Sequence, residues 1–456
     1  MSENNNLPVK NNMLTGSLAD KLILFAMPLA ASNILQQLFN SVDVAVAGRF
    51  AEDGALGAVG ANTAIIALII NLFTGLALGT NVVIATLIGQ GRKGEVTKVV
   101  HTSVAVGIIS GIAITLVGIP IADRLLILTG THESILGMAT LYLRIYFLGM
   151  PFIMVYNYGA AILRSIGNTK LPMYALIISG IINTGLNLVL VIVFSMGVAG
   201  VAIATVVSNI ISTVIVVIAL LREKEEWIRL DLRKLSIDRL YLKKIFSIGA
   251  PAGLQGALFS FSNVFVQSGI NSFGPDATAG SSVGLNFEYF TFYMANAFTQ
   301  ASITFAGQNY GAGNLKRCRK ICRQCIILAL VFTEIMAFVF GVFRTPFASL
   351  YTPKPAEIEY AVSRMMNVMI FEGMVAFYEV PGGVMRAMGH SYLSSVIAIF
   401  GTVVFRLVWM GTVFVKWHSF EMLMIVYPVS WILITVIMLP AYFIVIRKAE
   451  KSYISK

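Results

Sequence analysis

The sequence predicts an all-α polytopic membrane protein with 12 transmembrane helices, arranged as two six-helix bundles around a central cleft. Three observations predict this fold class. Apolar residues form 57% of the 456-residue chain and charged residues only 12%, against roughly 45–50% and 25% in soluble domains. Apolar stretches of about 20 residues, the length that crosses a bilayer, recur along the whole chain. The two halves of the sequence also resemble each other in one register.

The apolar stretches define the predicted helices. They lie at 21–47, 55–86, 96–121, 135–161, 170–194, 198–221, 245–272, 277–306, 317–343, 358–385, 391–416 and 421–447. A soluble fold could not cover its surface with so little charge. Disorder is excluded because far too much apolar area is available for burial.

The helices divide the chain into two bundles, a linker and two tails. The predicted parts are a cytoplasmic N-terminal tail at 1–20, an N-terminal six-helix bundle at 21–221, a cytoplasmic linker at 222–244, a C-terminal six-helix bundle at 245–447 and a cytoplasmic tail at 448–456. The linker, REKEEWIRLDLRKLSIDRLYLKK, has the character of an amphipathic cytosolic segment. The N-terminal tail lacks the form of a signal peptide.

The distribution of Lys and Arg predicts the orientation. With both termini inside, the inner segments carry 25 of the 33 basic residues and the outer segments carry 5. Because cytoplasmic loops collect Lys and Arg, this ratio predicts cytoplasmic termini. It also accounts for the net charge of +11 without a nucleic-acid partner.

Three pairs of segments carry the internal repeat. IGQGRKGEVTK at 88–98 matches AGQNYGAGNLKR at 306–317, and AILRSIGNTKLP at 161–172 matches GVMRAMGHSYLS at 383–394. MPLAASNILQQLFN at 27–40 matches APAGLQGALFSFSN at 250–263. Each repeat has an even number of helices, so the repeats are parallel. Two parallel bundles with a cleft between them are typical of transporters that alternate access by rocking, and a channel is less favoured.

At these segments the sequence resembles the multidrug and toxic-compound extrusion (MATE) family. The resemblance rests on PLAASNILQQLFNSVDVAVAGRF in the first helix, the two Gly-Gln loops, LRSIGNTK, and INTGLNLVLVIVFSMGVAGVAIAT at 182–205. It extends from about residue 18 to residue 448. It implies a secondary active efflux antiporter that exports lipophilic, cationic organic compounds in exchange for H⁺ or Na⁺ by a rocker-switch mechanism. The family is similar in fold to lipid-linked oligosaccharide flippases. This similarity gives the alternative function, a flippase or exporter of a lipid-linked or polysaccharide precursor.

Asp43 is the strongest candidate site residue. A carboxylate inside a membrane helix is costly, so it indicates function. The resemblance implies that Asp43 binds the coupling cation. Asn183 and Asn187, four apart on one helix face, and Thr205 match positions near this site. Many bacterial relatives have an aspartate where this chain has Asn187, so this half offers one carboxylate and is predicted to bind one cation per cycle.

Two kinds of ion fit this cluster equally well. Burial disfavours the charged form of a carboxyl group, so Asp43 could exchange a proton near neutral pH. One carboxylate, two amide oxygens and a hydroxyl could instead bind Na⁺, since hard cations prefer oxygen ligands. The residues leave H⁺ and Na⁺ open, and a possible Na⁺ at Asp43 is the only metal expected.

The remaining polar residues of the helices are predicted to line the substrate cleft. These candidates are Gln36, Asn40, Gln255, Asn263, Gln267, Glu288, Tyr289, Tyr293, Glu372 and Glu379. In the C-terminal half the place of Asp43 is taken by Val266. The acids there could bind substrate or cation, or could pair with Arg364 or Arg406. Glu334 is interpreted as structural.

An enzyme is not expected. The four histidines are scattered, and no metal-ligand spacing, nucleophile elbow or phosphate-binding loop occurs. No cofactor is predicted beyond the coupling ion, and the partners are a small organic molecule and the lipid bilayer. The family resemblance favours a monomer, and the 12-helix layout suits a bacterial plasma membrane.

Overall fold

The computed structural model describes residues 13–454, and these residues contain helices and no strand. The α-helices are α1 (Ala19–Phe50), α2 (Ala55–Gly89), α3 (Lys93–Leu128), α4 (Glu133–Leu148), α5 (Met150–Ser165), α6 (Lys170–Leu188), α7 (Gly197–Leu221), α8 (Arg239–Asn271), α9 (Pro275–Gly311), α10 (Leu315–Val342), α11 (Arg344–Ser349), α12 (Pro355–Asn367), α13 (Ala376–Ala387), α14 (Ser391–Ala398), α15 (Phe405–Gly411), α16 (Val413–Lys416), α17 (Phe420–Met424) and α18 (Val426–Ile454). Two π-helical segments, Val189–Val193 and Ile399–Val404, extend α6 and α14.

The helices account for all twelve predicted spans. Within residues 13–454, ten helical spans are long and apolar enough to cross a bilayer, and the pair α4 and α5, bent by 48°, adds an eleventh. The pair bends at Gly149, two residues before Pro151, because proline cannot complete the helical hydrogen bonding. The remaining predicted span is α9, which has 37 residues but many polar ones. The predicted fold class is confirmed.

The tenth span, predicted at 358–385, is less regular than its sequence indicates. It runs from Pro355 to Ala387 but tightens into a 3-10 helix over Met369–Val375 between α12 and α13. At this break the Gly373 backbone N–H donates to Glu334 Oε1 of α10, at 3.1 Å. The Glu334 carboxylate therefore supplies a hydrogen-bond acceptor for the Gly373 N–H in the irregular segment.

The chain forms two compact units that do not follow the sequence repeat. The N-terminal unit contains Ala31–Ile84 and Arg92–Gly253. The C-terminal unit contains the described residues up to Ala30, together with Ala85–Gly91 and the described residues from Leu254 onward. The two bundles predicted at 21–221 and 245–447 follow the repeat and stay a prediction about membrane topology.

The segment that precedes α1 is held within the C-terminal unit. Asn309 Nδ2 and Arg317 Nε each donate to the Met13 carbonyl, both at 3.2 Å. Arg317 Nη2 also donates to the carbonyls of Thr15 and Gly16, both at 3.1 Å. The Arg317 guanidinium therefore fixes the start of the described chain to the first turn of α10, and the predicted Gly-Gln loop at 307–308 lies within α9.

The predicted linker is folded against α3 in the N-terminal unit. Thr97 Oγ1 donates to the Trp227 carbonyl at 2.9 Å, and the Asp231 backbone N–H donates to His101 Nε2 at 3.2 Å. The Asp238 backbone N–H donates to Thr102 Oγ1 at 3.0 Å. These bonds come from successive turns of α3, so they hold the linker along the helix.

Helices α2 and α8 approach each other closely in the N-terminal unit. A Cβ atom added at Gly75 would overlap the backbone of Gly253, and one added at Gly253 would overlap the Leu72 carbonyl. Only glycine allows two helix backbones to approach at this distance. The first part of α8 is thereby fixed to α2.

Candidate functional site

The structure brings the four predicted cation-site residues together in the N-terminal unit. Asn187 Nδ2 donates to Asp43 Oδ1 at 2.5 Å and to Asn183 Oδ1 at 3.2 Å. Thr205 Oγ1 lies 3.3 Å from Asp43 Oδ2 and donates to it. Asp43 is 7% exposed and Asn187 is fully buried. Three helices, α1, α6 and α7, therefore converge on one carboxylate, which we call the Asp43 cluster.

The local structure of α6 positions the two amides. Asn183 and Asn187 lie one helical turn apart, so both side chains point to the same face. Two residues beyond Asn187, the helix widens into the π-helical segment Val189–Val193. Such π-helical insertions are rare and frequently occur at functional sites.

The charge of Asp43 is not neutralised by a fixed cation. Among residues 13–454, no Lys, Arg or His forms an ion pair with it. Asn187 Oδ1 is buried without a hydrogen-bond partner. The cluster therefore holds a carboxylate and an adjacent unused carbonyl oxygen, and both atoms can accept a proton donor or coordinate a cation.

Two tyrosines that the sequence analysis did not identify complete the surroundings of Asp43. Tyr142 and Tyr146 on α4 are buried, and their rings stack with centroids 6.2 Å apart. The Tyr142 hydroxyl lies near the side chain of Thr205. Their four-residue spacing inside an apolar span was the available signal, since a buried phenol needs a partner.

The two cleft candidates of the first helix lie outside this cluster. Gln36 and Asn40 are both exposed, and neither side chain is bonded to Asp43. Three-residue spacing places Asn40 near Asp43 on the helix, but Asp43 faces inward and Asn40 does not. Their predicted role in the substrate cleft stays a prediction.

The C-terminal unit contains a second group of buried charges, which we call the arginine cluster. Arg364 Nε donates to Glu288 Oε2 at 2.8 Å, and Arg364 Nη1 donates to Ser281 Oγ at 2.9 Å. Arg406 Nη1 donates to Asn263 Oδ1 at 3.1 Å. The Arg406 guanidinium lies 4.4 Å from the ring centroid of Tyr427, within the range of a cation–π interaction.

The other two predicted acids of this unit have different environments. Glu379 lies 3.6 Å from Arg386, whose Nη2 also donates to Gln255 Oε1 at 2.9 Å. Glu372 is 3% exposed, and its Oε2 has no hydrogen-bond partner. Their seven-residue spacing would place both acids on one face of a regular helix, but Glu372 lies in the 3-10 segment and Glu379 lies in α13.

The remaining cleft candidates lie on α8 and α9. A groove of about 370 Å³ follows α8, and its lining includes the side chains of Asn263, Gln267 and Asn271. Gln267 Nε2 donates to Asn271 Oδ1 at 2.9 Å. On α9, the rings of Tyr289 and Tyr293 stack with centroids 5.9 Å apart. The C-terminal unit therefore offers polar and aromatic surface beside its buried charges.

Comparison with known proteins identifies the family of the chain. The MatE family profile matches residues 28–189 and 251–410. The probable multidrug resistance protein YoeA of Bacillus subtilis (strain 168) is 28% identical over 385 residues, which cover 83% of each chain. The probable multidrug resistance protein NorM of Thermotoga maritima is 26% identical over 378 residues, covering 81% of this chain and 80% of that protein.

Solved structures show the same fold. The crystal structure of a MATE protein in complex with MaL6 superposes with a TM-score of 0.90 at 22% sequence identity. The superposition covers 96% of this chain and 98% of the other. Both parts of the family profile fall on the repeated halves of the sequence, and the all-helical fold agrees with them. The chain therefore belongs to the MatE family of membrane transporters.

Proposed function

We propose that this protein is a multidrug efflux antiporter that exports lipophilic organic cations in exchange for H⁺ or Na⁺. The proposal places the coupling ion at the Asp43 cluster and the substrate in the cleft of the transporter. Drug export is supported by the names of the relatives, which are described as multidrug resistance proteins, and the cationic class rests on the buried acids and aromatic residues of the helices. No cofactor or catalytic step is needed, since transport is driven by an ion gradient.

One observation carries the proposal: Asp43 is a buried carboxylate surrounded only by neutral groups. A buried charge without a fixed counter-ion is expensive. A proton or a sodium ion that reaches the site removes this cost, so binding changes the local energy strongly. A site that is sensitive to one small cation is what ion-coupled transport requires.

The residues fit either ion. The Asn187 side chain serves the ionised carboxylate by donating from Nδ2, while its Oδ1 stays free. That oxygen can accept from a protonated Asp43 or coordinate Na⁺ together with the carboxylate. Asn183 Oδ1 and Thr205 Oγ1 supply two further oxygen atoms of the kind that hard cations prefer.

The transport cycle follows from this charge balance. In the outward-open state the ion binds at Asp43 and neutralises it, which allows the N-terminal bundle to relax and to release the substrate. The two bundles then rock to the inward-open state, where the ion leaves and a cationic compound loads. Coupling requires that ion and substrate stabilise different states. With Asn187 in place of a second acid, we infer one coupling ion per cycle at this site.

The flippase alternative requires free positive charge for an anionic precursor. The C-terminal unit does contain the buried residues Arg364, Arg386 and Arg406. Arg364 pairs with Glu288, and Arg386 lies beside Glu379. Arg406 is held by Asn263 and Tyr427. Arg364 and Arg386 lie beside carboxylates, which supports the drug-efflux proposal, whereas the Arg406 charge has no carboxylate partner among residues 13–454.

The expected setting of this activity is a bacterial plasma membrane with both termini in the cytoplasm. The asymmetry of Lys and Arg between inner and outer segments supports this orientation. A monomer suffices for the proposed cycle, since each chain carries both repeats.

Ethidium efflux from proteoliposomes tests the proposal. We expect ethidium efflux under an imposed gradient of one ion, either H⁺ or Na⁺, and no efflux under a gradient of the other. Asp43→Asn should abolish the efflux, because the amide cannot bind a proton or balance Na⁺. Asp276→Asn, the same chemical change at an exposed acid in the first turn of α9, is the matched control.

Two results would contradict the proposal. Normal efflux by Asp43→Asn would show that the coupling ion binds elsewhere. Absence of ethidium efflux under both gradients, combined with pyrophosphate protection of a lipid-linked precursor, would establish the flippase alternative.

A further inference from the structure

A pocket on the C-terminal unit lies between α10 and the broken tenth span. Its volume is about 300 Å³. It is lined by Glu334, Ala337, Phe338, Gly341, Val342, Arg344, Met366 and Ile370. The lining is apolar except for one carboxylate and one guanidinium. None of these residues belongs to the Asp43 cluster or to the arginine cluster.

The pocket opens on the face that α10 presents to its surroundings. Val331, Ile335, Phe338 and Val342 are exposed apolar residues, and Phe338 is 71% exposed. Their spacing of four, three and four residues forms a single stripe along the helix. In a membrane-spanning helix, such an apolar stripe faces lipid. The pocket is therefore reached from the hydrocarbon region.

Glu334 has binding capacity that the fold does not use. It accepts one hydrogen bond, from the Gly373 backbone N–H. An ionised carboxylate can accept about four. Within residues 13–454 no Lys, Arg or His forms an ion pair with it. The nearby Arg344 donates from Nη1 to the Gly341 carbonyl, at 3.0 Å.

The structural role of Glu334 does not require its charge. A glutamine at this position would present the same Oε1 acceptor to Gly373 without the cost of placing a charge in the membrane. A Cβ atom at Gly373 would displace Glu334 Oε1, so the two groups are in close contact. The backbone contact therefore explains the position of the side chain and leaves its charge unexplained.

The geometry points to a lateral binding site for lipophilic cations that are dissolved in the membrane, with Glu334 as their counter-ion. This inference rests on the proposed function, in which such cations are the substrates. Glu334 lies eight residues before the last residue of α10, roughly 12 Å along the helix axis. An ammonium group held there would place its alkyl chain along the apolar stripe. Phe338 can add a cation–π contact, and Met366 supplies adaptable apolar surface.

Photolabelling of the purified protein in lipid nanodiscs tests the site. The probe is dodecyltrimethylammonium carrying a diazirine, and its neutral control is the corresponding dodecanol. We expect the cationic probe to label peptides from 334–344 and 366–370. Glu334→Gln should reduce this labelling at least fivefold, since it removes the charge and keeps the acceptor for Gly373. Glu359→Gln, at an exposed acid of α12, should label like the wild type.

The outcomes separate this inference from the proposed function. Equal labelling of wild type and Glu334→Gln, or equal labelling by the neutral probe, would show an apolar surface only and overturn the inference. Should the variant be unstable, displacement of the label from the wild type by unreactive dodecyltrimethylammonium but not by dodecanol would support the site, and displacement by both would overturn it. Labelling does not require transport, so the ethidium assay can fail while the site stands, or the reverse.

Discussion

Asp43 in the N-terminal unit and Glu288 in the C-terminal unit are both buried carboxylates, but their partners differ. Asp43 accepts from an amide and a hydroxyl. Glu288 pairs with the Arg364 guanidinium at 2.8 Å. A charge that is already balanced by arginine gains little from binding another cation, whereas an unbalanced charge gains much. Burial alone therefore does not distinguish the two carboxylates, and the fixed counter-charge does: it leads us to predict ion binding at Asp43 and not at Glu288.

The largest effect should come from breaking the Glu288–Arg364 pair. Glu288→Gln leaves Arg364 buried without its counter-ion, and loss of one partner of a buried pair costs about 3–5 kcal/mol. The double variant Glu288→Gln with Arg364→Met removes the stranded charge and should recover most of that stability. Thermal unfolding in detergent measures both. If the single variant were as stable as wild type, the two clusters would not differ as described.

Asp43→Asn should have the opposite effect on thermal stability and is measured in the same experiment. It removes a buried charge that has no counter-ion, so the unfolding temperature should stay the same or rise. A loss of stability comparable with that of Glu288→Gln would mean that Asp43 is part of an unrecognised structural pair.

Adding a second carboxylate to the Asp43 cluster should change the stoichiometry. Asn187→Asp places two acids side by side, and two like charges cannot both stay ionised at such a distance without a cation. We expect about two coupling ions per substrate for this variant and one for the wild type. Reversal potentials of proteoliposomes give this ratio, and an unchanged ratio would show that Asn187 does not face the ion.

A smaller effect is expected for the hydroxyl at the cluster. Thr205→Val removes the donor to Asp43 Oδ2, a bond of 3.3 Å. Hydrogen bonds to charged groups contribute about 1.5–3 kcal/mol, and this long one lies at the lower end. The concentration of coupling ion that gives half-maximal transport should therefore change about tenfold, in either direction. Thr63→Val, whose hydroxyl bonds only to the Val59 carbonyl, is the control and should leave transport unchanged.

The smallest effect concerns Asp231, an acid outside the membrane, which serves as a comparison for the buried acids Asp43 and Glu288. The Arg233 backbone N–H donates to Asp231 Oδ1 at 3.0 Å, and this bond, with Lys234 nearby, holds the pKa of the Asp231 carboxyl below its usual value of 3.8. A lowered pKa stabilises the fold above the unfolded value and loses that contribution as the pH falls through the folded one. Hydrogen exchange of 231–238, corrected for the intrinsic rate, should accelerate below about pH 4. Asp231→Asn should remove this dependence.

The twelve spans could be predicted because each depends on local length and apolarity. The members of the Asp43 cluster could be predicted because the resemblance supplied Asp43 and helical spacing supplied the Asn183 and Asn187 pair. That these residues bind an ion stays a prediction. The break at Met369–Val375 could not be predicted, since it involves Glu334, which is 39 residues away from Gly373.

Other contacts could not be predicted either, because they also join residues that are far apart in the sequence. The linker at 222–244 has an amphipathic composition, but its contacts with Thr97 and His101 depend on a helix more than 100 residues earlier in the chain. The pairing of Glu288 with Arg364 was one of several open alternatives, because composition does not determine which acid meets which arginine. Local sequence patterns predict the helices, whereas long-range packing determines which side chains contact each other.

The clasp that Arg317 and Asn309 form on the segment before α1 has a consequence for biosynthesis. The Met13 carbonyl waits for a partner 296 residues later in the chain. At synthesis rates of about 5–20 residues per second, that interval lasts roughly 15–60 s. The segment before α1 therefore acquires these neighbours only after α9 and the start of α10 have been made, whereas Asp43 of α1 can meet Asn187 and Thr205 earlier.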